Sequence, residues 1–365
     1  MSDNGARPGR DEGAVLERIE AFRRRRPRFD DDVITLAHGA GGKASAALID
    51  AVFVDAFAGT EPAALGDAAV LGLPSGERVA FSTDSFVVKP LRFPGGSIGH
   101  LAIHGTVNDL AMMGARPAWM SAAFVLEEGF AVDELRAIVA DMAAAAAASG
   151  VAVVTGDTKV VNGGAADGLY ITTAGVGVVP AGRSLTPAAV APGDRVLVSG
   201  SIADHGMAVM LARGDLALEA DIASDTAPLH ELVELLFGAA PNLRWLRDPT
   251  RGGVGTVCNE LARDCGLAVV LDEARLPIDP AVNGACDLLG IDPLYVANEG
   301  KLVAVVPAAE ADAAVAALRT HPVGRAAAEI GEVHAEPEGV VVLRTSFGGT
   351  RIVDMLVGDP LPRIC

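Results

Sequence analysis

The sequence predicts an α+β protein of two domains in which helices and strands are mixed. The chain has 365 residues, more than one hydrophobic core usually supports. Short apolar strands alternate with amphipathic helical patterns after residue 32. A strand, turn and helix pattern begins anew after Pro192-Gly193-Asp194. We therefore expect a disordered extension at 1–32, a first domain at 33–180, a second at 181–345 and a mobile tail at 346–365.

Composition argues against several classes of function. The formal net charge of −18 disfavours nucleic acid or an anionic membrane surface as a partner. The sequence has neither a run of about 18 apolar residues without a charge nor the apolar core of a secretory signal. Its four cysteines, at 258, 265, 286 and 365, form no CxxC pair, as is typical of reduced thiols. We expect a cytoplasmic protein, and the charge does not exclude a nucleotide pocket.

A glycine-rich turn near the start of the first domain is a candidate phosphate-binding loop. We predict a short strand at Val33–Ala37 and a helix from about Ser45 to Phe57, joined by His38-Gly39-Ala40-Gly41-Gly42-Lys43. Backbone N–H groups at a helix N-terminus bind phosphate well, so Gly41, Gly42 and Lys43 are candidate nucleotide contacts. The turn is not a Walker A motif, and an ordinary strand-to-helix turn is the alternative.

Four carboxylates recur in or beside apolar elements of the first half. Asp67 precedes an apolar strand, Asp84 ends a strand that begins at Val79, and Asp157 follows the strand Val151–Thr155. Asp109 lies inside a helix predicted from Ser97 to Gly114, next to Asn108, which is a further candidate nucleotide contact. An unpaired charge in such surroundings costs several kcal/mol, so the set indicates a cation. Magnesium held by carboxylates and nucleotide phosphates fits, whereas cap and turn roles are the alternative for each residue alone.

Basic and glycine residues near these acids are candidate phosphate ligands. The rarity of lysine makes each one informative, since only four of the 29 Lys and Arg residues are lysines. Lys159 follows Gly156-Asp157-Thr158, and all four residues are candidate nucleotide contacts. In the second half, Arg251-Gly252-Gly253 leads into a helix predicted at Val254–Asp264, which is a second possible anion site. A simple loop and helix cap is the alternative there, and His205 and Cys258 are predicted to be packing residues.

The C-terminal segment is predicted to carry chemistry. The chain ends in Pro362-Arg363-Ile364-Cys365, and Gly358, Pro360 and Pro362 disfavour a helix before it. From Gly358 to Cys365 such a segment spans at most about 25 Å, enough to bring the thiol into a pocket. We expect the tail to have at least two positions. The alternative is a frayed end that happens to finish in cysteine.

These motifs, in this order, resemble the HypE family of hydrogenase expression/formation proteins in the PurM-like ATP-dependent superfamily. The resemblance covers residues 33–365 and departs from the family in the long arm 1–32 and in Lys43-Ala44-Ser45. It rests on the following motifs: His38-Gly39-Ala40-Gly41-Gly42, Ser82-Thr83-Asp84-Ser85, Asn108-Asp109, Thr155-Gly156-Asp157-Thr158-Lys159-Val160-Val161, Asp248-Pro249-Thr250-Arg251-Gly252-Gly253, Asn298-Glu299-Gly300-Lys301-Leu302 and Pro362-Arg363-Ile364-Cys365.

The resemblance implies a homodimer whose first domains pair through their sheets into a barrel-like core that binds ATP and Mg²⁺. It also implies that Cys365 receives a carbamoyl group from the carbamoyltransferase HypF, and that ATP then drives its dehydration to a protein thiocyanate. The cyanide would pass to iron on HypC and HypD for [NiFe]-hydrogenase. Lys159 is the candidate catalytic phosphate ligand, and Glu299 or an aspartate is the candidate base. A small-molecule kinase or synthetase of the same superfamily (selenide, water dikinase or thiamine-phosphate kinase type), or a nucleotide-binding scaffold, is the alternative.

Overall fold

The computed structural model describes residues 29, 31–57, 66–214, 220–356, 358 and 364–365. Within these ranges the chain folds into two halves, each with one main β-sheet covered by helices. This confirms the predicted mixed α/β class. The predicted arm at 1–32 lies almost wholly outside the described residues, as do Pro360, Pro362 and Arg363 of the tail.

The first half holds a five-stranded sheet with the strand order β1-β2-β7-β5-β6. All neighbours are antiparallel except β5 and β6, which run parallel. Its strands and the short β3-β4 pair are β1 (Ala69–Gly72), β2 (Arg78–Phe86), β3 (Arg92–Phe93), β4 (Gly96–Ser97), β5 (Arg116–Glu127), β6 (Ala152–Val161) and β7 (Leu169–Val179). Its helices are α1 (Lys43–Leu48), which continues through the π-helical turn Ile49–Val54 into Asp55–Phe57, then α2 (Ile98–Met112) and α3 (Val132–Ala148).

Helix α2 covers one face of this sheet and is apolar nearly all round, as expected of a buried helix. Its Ile98, Leu101 and Leu110 have no exposed surface. Glycines in the sheet allow the close approach, because a Cβ at Gly175 would lie 2.7 Å from Thr106 Cγ2 and 2.9 Å from Leu110 Cδ1. Helix α2 therefore packs at a short distance from the strands, which only glycine at this position allows.

The strand register decides which side chains share a face, because directly paired residues point the same way and successive residues alternate. One row consists of Asp84, Thr173, Ala122 and Gly156, and the next consists of Ser85, Thr172, Ala123 and Asp157. The Thr173 hydroxyl donates to the Ala102 carbonyl of α2 at 3.0 Å, so the first row faces α2. The second row lies on the opposite face, which we call the open face; it also carries Leu71, Phe81, Trp119, Lys159 and Val178.

The second half holds a seven-stranded sheet with the order β14-β13-β10-β12-β8-β11-β9, in which only β10 and β13 pair in parallel. Its strands are β8 (Arg195–Val198), β9 (Trp245–Arg247), β10 (Ala268–Asp272), β11 (Val303–Val306), β12 (Ala328–His334), β13 (Val341–Arg344) and β14 (Thr350–Val353). Its helices are α4 (Asp204–Ala212), α5 (His230–Ala239), α6 (Gly253–Cys265), α7 (Pro280–Leu289) and α8 (Ala311–Arg319). Short 3₁₀ turns join several of these elements.

The two halves are fastened together beside the C-terminal end of α2. Arg183, in the connection between the halves, lies 4.1 Å from the Phe237 ring and pairs with Glu234 of α5 at 2.6 Å. Arg116 of β5 pairs with the same carboxylate at 2.9 Å. These two guanidinium groups lower the pKa of Glu234 to about 2. These contacts fix the first half relative to the second, so that side chains from both halves can form one site.

Three local predictions differ from the structure. The predicted strand Val33–Ala37 is wrong, because Thr35 and His38 close a 3₁₀ turn at Leu36–Gly39 through a 2.9 Å bond from the Thr35 N–H to His38 Nδ1. Strand β6 does not end at Thr155 but continues to Val161. The stretch predicted as a tail begins within the second sheet, where β14 pairs with β13. Helices in the described ranges all fall short of the length and apolar character needed to cross a bilayer.

Candidate active site

Three carboxylates from three separate elements meet at the junction of the two halves. Asp67 lies just before β1, Asp109 lies in α2 and Asp248 follows β9; one oxygen from each lies within 4.8 Å of the others. Among the described residues, Asp67 Oδ2 is buried without a hydrogen-bond partner. We call these three side chains the acidic cluster.

Neighbouring side chains hold the acidic cluster in place. Arg247 bridges two carboxylates, with Nε 2.9 Å from Asp67 Oδ1 and Nη2 3.1 Å from Glu260 Oε2. On the other side, the Ser82 hydroxyl of β2 donates to Asp109 Oδ2 at 2.5 Å. Each half therefore orients part of the cluster, and Arg247 ties the two halves together.

Burial and mutual repulsion shape the electrostatics of the cluster. Burial raises the pKa of Asp67 and of Asp109 well above the usual value, and the neighbouring carboxylates add to it. Burial likewise raises the pKa of Asp248 to about 6, although Arg247 opposes the shift. A cation would remove this penalty, and three converging carboxylate oxygens suit a hard ion such as Mg²⁺. The acidic cluster therefore fits the predicted metal, and Asp248 is a candidate ligand beside the predicted Asp67 and Asp109.

Asp84 and Glu299 stand next to the cluster. Glu299 is only 4% exposed, and its Oε1 is buried without a hydrogen-bond partner among the described residues. Burial, followed by the charges of Asp248 and Asp84, raises the pKa of Glu299 well above its usual value. Burial also raises the pKa of Asp84, against the effect of Arg251. Arg251 thus compensates the charge of both acids.

Two glycine segments lie against each other at this place. A Cβ at Gly41 would lie 3.0 Å from Arg251 Cβ, and Gly41 has a φ of +76° that favours glycine. The Arg251 guanidinium donates to the Gly39 carbonyl at 3.4 Å. Gly252 and Gly253 open α6 with φ of +76° and +61°. Backbone N–H groups, a helix N-terminus and one arginine are the groups that bind phosphate.

The C-terminal end of the chain is docked on the extension of β2. The Val87 N–H donates to a carboxyl oxygen of Cys365 at 3.0 Å, and Val88 forms an antiparallel bridge with Ile364. The Ile364 side chain is 2% exposed. Val87 follows Asp84 by three residues, so the docked end lies about 10 Å from Asp84 along an extended strand.

Not every predicted site residue lies near the acidic cluster. Asp157 and Lys159 lie on the open face, away from Asp84, where Lys159 Nζ pairs with Asp157 Oδ2 at 2.8 Å. The bonds from Lys159 and from the Thr158 N–H lower the pKa of Asp157. Gly156 packs against β5, since a Cβ there would lie 2.3 Å from the Ala122 carbonyl oxygen. The metal and nucleotide roles of 156–159 therefore stay predictions.

Two other predicted contacts have structural partners. Lys43 Nζ pairs with Asp354 Oδ2 at 2.8 Å, and its N–H donates to the Leu356 carbonyl at 2.9 Å. Asn108 Nδ2 donates to the Ala227 carbonyl at 3.1 Å, and its Oδ1 accepts from the Leu229 N–H at 2.8 Å. Asn108 thus fastens α2 to the second half beside the acidic cluster, and its nucleotide role stays a prediction.

Comparison with known proteins places this arrangement in a family. Residues 65–179 match the family model of the AIR synthase related protein, N-terminal domain, and residues 191–344 match the model of its C-terminal domain. The carbamoyl dehydratase HypE of Rhodobacter capsulatus is 55% identical over 337 residues, which cover 92% of this chain and 99% of the relative. This chain belongs to the HypE family.

Solved HypE structures have the same fold. A HypE–HypF complex aligns with a TM-score of 0.80 at 46% identity, covering 85% of this chain and 100% of that one. A HypE structure in complex with ATP aligns with a TM-score of 0.76 at 44% identity, covering 91% of this chain and 100% of that one. The thiamine monophosphate kinase of Aquifex aeolicus, at 19% identity and a TM-score of 0.62, shares the fold alone.

Sequence reasoning missed three residues of this HypE-family site. Asp248 is absent from the four predicted carboxylates, although it follows an apolar strand as directly as Asp67 precedes one. Arg247 gave no signal, because its partner Asp67 is 180 positions away in the sequence. His205 was predicted to be a packing residue, but its Nε2 lies 2.6 Å from the Ile364 carbonyl. No local pattern announces such long-range partners.

Proposed function

We propose that this chain is an ATP-dependent carbamoyl dehydratase that converts an S-carboxamide on Cys365 into a protein thiocyanate. One observation carries the proposal: the terminal cysteine is docked on the extension of the strand that also carries Asp84 and Ser82 of the acidic site. A small-molecule kinase has no need of such a cysteine. The thiocyanate would supply the cyanide ligand of the iron in [NiFe]-hydrogenase.

The overall reaction balances without an external oxidant or reductant. The S-carboxamide loses its oxygen, both amide hydrogens leave as protons, and the carbon–nitrogen bond becomes a triple bond. When bound, Mg-ATP supplies the phosphoryl group that turns the amide oxygen into a leaving group, so that the oxygen ends in phosphate. The protein has to hold the reactants in line, neutralise charge and accept a proton.

The residues of the site suit these tasks. Asp67, Asp109 and Asp248 would hold Mg²⁺, with Asp84 beside them. The backbone of Gly41 and Gly42 and that of Gly252 and Gly253 would bind phosphate oxygens, and Arg251 would balance their charge. Asp84 lies on the strand whose extension holds the docked tail, so it would stand on the side of the site that faces the thiol.

Glu299 is the proton acceptor in this proposal. A general base is most effective when its pKa is close to the working pH, and burial moves a carboxylate in that direction. The Glu299 pKa is raised by burial and by the charges of Asp248 and Asp84. A cation on the acidic cluster would offset those charges and let Glu299 ionise. Its unpaired Oε1 would then accept a proton from the amide nitrogen.

A homodimer formed through the open face belongs to the same proposal. This face exposes apolar side chains, among them Trp119 with 54% exposure and Phe81 with 44%. Large contiguous apolar patches of this kind mark interfaces. Lys159 and Asp157 project from the open face, so their predicted roles at phosphate and metal require that a second copy approach it.

Partners of the reaction follow from the chemistry. A carbamoyltransferase must load Cys365, and the HypE–HypF complex makes HypF the proposed donor. An iron scaffold must accept the cyanide, and we assign this role to HypC and HypD. We place the whole sequence of steps in the cytoplasm.

Intact-protein mass spectrometry tests the proposal. The chain is incubated with HypF, carbamoyl phosphate, Mg²⁺ and ATP. A carbamoyl adduct on Cys365 is expected, followed by loss of the mass of one water only when ATP can be hydrolysed. The Cys365→Ala variant should gain no adduct. An adduct that maps to Cys258, Cys265 or Cys286, or one that never loses water, contradicts the proposal.

A further inference from the structure

We propose that His205 holds the C-terminal end of the chain in its docked position through a hydrogen bond to the main chain. The imidazole is fully buried in α4 of the second half, and its Nε2 lies 2.6 Å from the Ile364 carbonyl oxygen. We call this contact the tail latch.

The hydrogen bonds around the ring fix its tautomer. A carbonyl oxygen only accepts, so Nε2 must carry the proton that it donates to Ile364. On the other side, Nδ1 lies 2.8 Å from the Ser224 hydroxyl, and that oxygen already accepts from the Thr226 N–H at 3.2 Å. The Ser224 hydroxyl therefore donates to Nδ1. Burial lowers the pKa of His205, which keeps the imidazole neutral in this role.

The backbone before His205 is strained in the way that functional positions often are. Ala203 has a φ of 75° and is the one non-glycine residue with positive φ in the described part of the chain. The Asn298 side chain holds this conformation, because its Oδ1 accepts from the Ala203 N–H at 2.8 Å. The ring of Phe93 packs edge-on against the imidazole, with centroids 5.5 Å apart. The imidazole is thereby aimed at the incoming tail.

Contacts with the turn between β3 and β4 fix the position of Ser224. Its N–H donates to the Pro94 carbonyl at 2.8 Å. A Cβ at Gly95 would lie 2.6 Å from the Ser224 carbonyl oxygen, so only glycine allows this approach, and its φ is +88°. The turn between β3 and β4 in the first half thus sets the hydroxyl that orients a ring of the second half.

The tail latch is joined to the candidate base through Asp225. The carboxylate of Asp225 accepts from the Glu299 N–H at 3.1 Å and pairs with Lys301 Nζ at 3.0 Å, with both side chains buried. The charge of Asp225 also acts on His205. Ser224 and Asp225 are neighbours in the chain, so the segment that orients the latch also holds the backbone of Glu299.

The assignment makes His205 a positioning residue that acts on the reaction through the tail. That it serves dehydration rests on the proposed function, in which the thiol must leave the site to be carbamoylated and return to it to be dehydrated. The position of the tail itself does not depend on that function. Its test needs neither ATP nor a carbamoyl donor.

Alkylation of the cysteines by iodoacetamide, followed by peptide mass spectrometry, measures how often the tail is undocked. The His205→Ala variant should be alkylated at Cys365 about fivefold faster than the natural chain, the factor that matches the loss of one net hydrogen bond. The His205→Gln variant keeps a donor near the Nε2 position and should return the rate toward that of the natural chain. An unchanged rate at Cys365 in His205→Ala overturns the assignment.

The buried Cys258 is the internal control, because its alkylation reports unfolding of the second half. If His205→Ala exposes Cys258, the Ser224→Ala variant decides, since it removes only the hydroxyl that orients the ring. Faster alkylation of Cys365 with Cys258 protected supports the latch, and an unchanged Cys365 rate overturns it. A second readout links the latch to the reaction: His205→Ala should lower the rate of dehydration but not the rate of carbamoylation by HypF. If Cys365 responds while no dehydration is seen in any variant, the proposed function fails and the latch stands.

Discussion

At the scale of single residues, the site is governed by carboxylates that the fold brings together against their repulsion. The folded-state pKa of Asp248 is about 6, above its ordinary value of 3.8. Between these two pH values, the folded protein therefore binds more protons than the unfolded chain does. The stability that this group contributes is fully present below pH 3.8 and is lost as the pH rises through about 6. Metal binding should reverse the trend, since Mg²⁺ competes with these protons.

Asp109→Asn should make the metal-free protein more stable at neutral pH. Asp109 faces Asp248, Asp67 and Asp84, and an asparagine can still accept the bond from Ser82. We expect a gain of about 1 to 2 kcal/mol at pH 7 in EDTA and a smaller gain at pH 5, measured by urea unfolding. Calorimetry should show weaker binding of Mg-ATP. The exposed Asp312→Asn is the control. Equal stability together with undiminished Mg-ATP affinity would count against the acidic cluster as the metal site.

Glu299→Gln should separate nucleotide binding from dehydration. The amide matches the carboxylate in shape but cannot accept the proton, so we expect dehydration of carbamoylated Cys365 to fall at least about a hundredfold. Binding of ATP and carbamoylation by HypF should remain. Mass spectrometry follows both modifications of the tail, and the exposed Glu134→Gln serves as the control. Dehydration at the natural rate in Glu299→Gln would assign the base to another residue.

At the scale of elements, the close packing of α2 on the first sheet places Asn108 and Asp109. Gly175→Ala should therefore disturb both stability and the site. The added methyl group would meet Thr106 and Leu110 at under 3 Å, and such overpacking usually costs about 1 to 3 kcal/mol. Urea unfolding should show the loss, and calorimetry should show weaker Mg-ATP binding. Gly72→Ala on β1, where nothing lies within 4 Å of the new methyl group, should change neither.

Elements with a complete local signal were predictable from the sequence. The apolar stripe after Ser97 predicts α2, which runs from Ile98 to Met112, and the helix predicted at Val254–Asp264 is α6, Gly253–Cys265. The turn at 36–39 was missed because the hydrogen bond from the Thr35 N–H to the His38 side chain stabilises the turn against the strand propensity of Val33 and Ile34. Strand β6 was cut short because Gly156 resembles a strand terminator, whereas a backbone approach to Ala122 requires it.

The site was predictable only where a residue type stood out in its local setting. Asp67, Asp84 and Asp109 were found because they interrupt apolar elements. Asp157 has the same local pattern, yet the register turns it to the open face, and no single-strand pattern reveals which face will be covered. The scarcity of lysine was a sound signal for Lys301, whose ammonium is buried against Asp225. The ion pair itself could not be predicted, because Lys301 and Asp225 are 76 positions apart in the sequence.

At the scale of the whole molecule, the open face predicts self-association. Trp119→Glu should dissociate the proposed homodimer, because a charge at a desolvated interface without a partner costs several kcal/mol. Light scattering at micromolar concentration is expected to give a dimer for the natural chain and a monomer for the variant, with unchanged circular dichroism. Phe347→Glu is the matched control, as Phe347 is 98% exposed on the turn between β13 and β14. A natural chain that is monomeric with and without ATP would remove the dimer.

Three of the contacts that hold the docked end of the chain are made by its main chain. The Val87 bond, the bridge to Val88 and the His205 bond all engage main-chain atoms of Ile364 and Cys365. These contacts are the same whether the sulfur carries hydrogen, a carboxamide or a cyano group. These three contacts therefore do not distinguish the carboxamide from the thiocyanate, and they do not by themselves expel the finished thiocyanate. Departure of the product depends on spontaneous undocking or on capture by the acceptor, so the concentration of acceptor sets the pace of turnover once chemistry is fast.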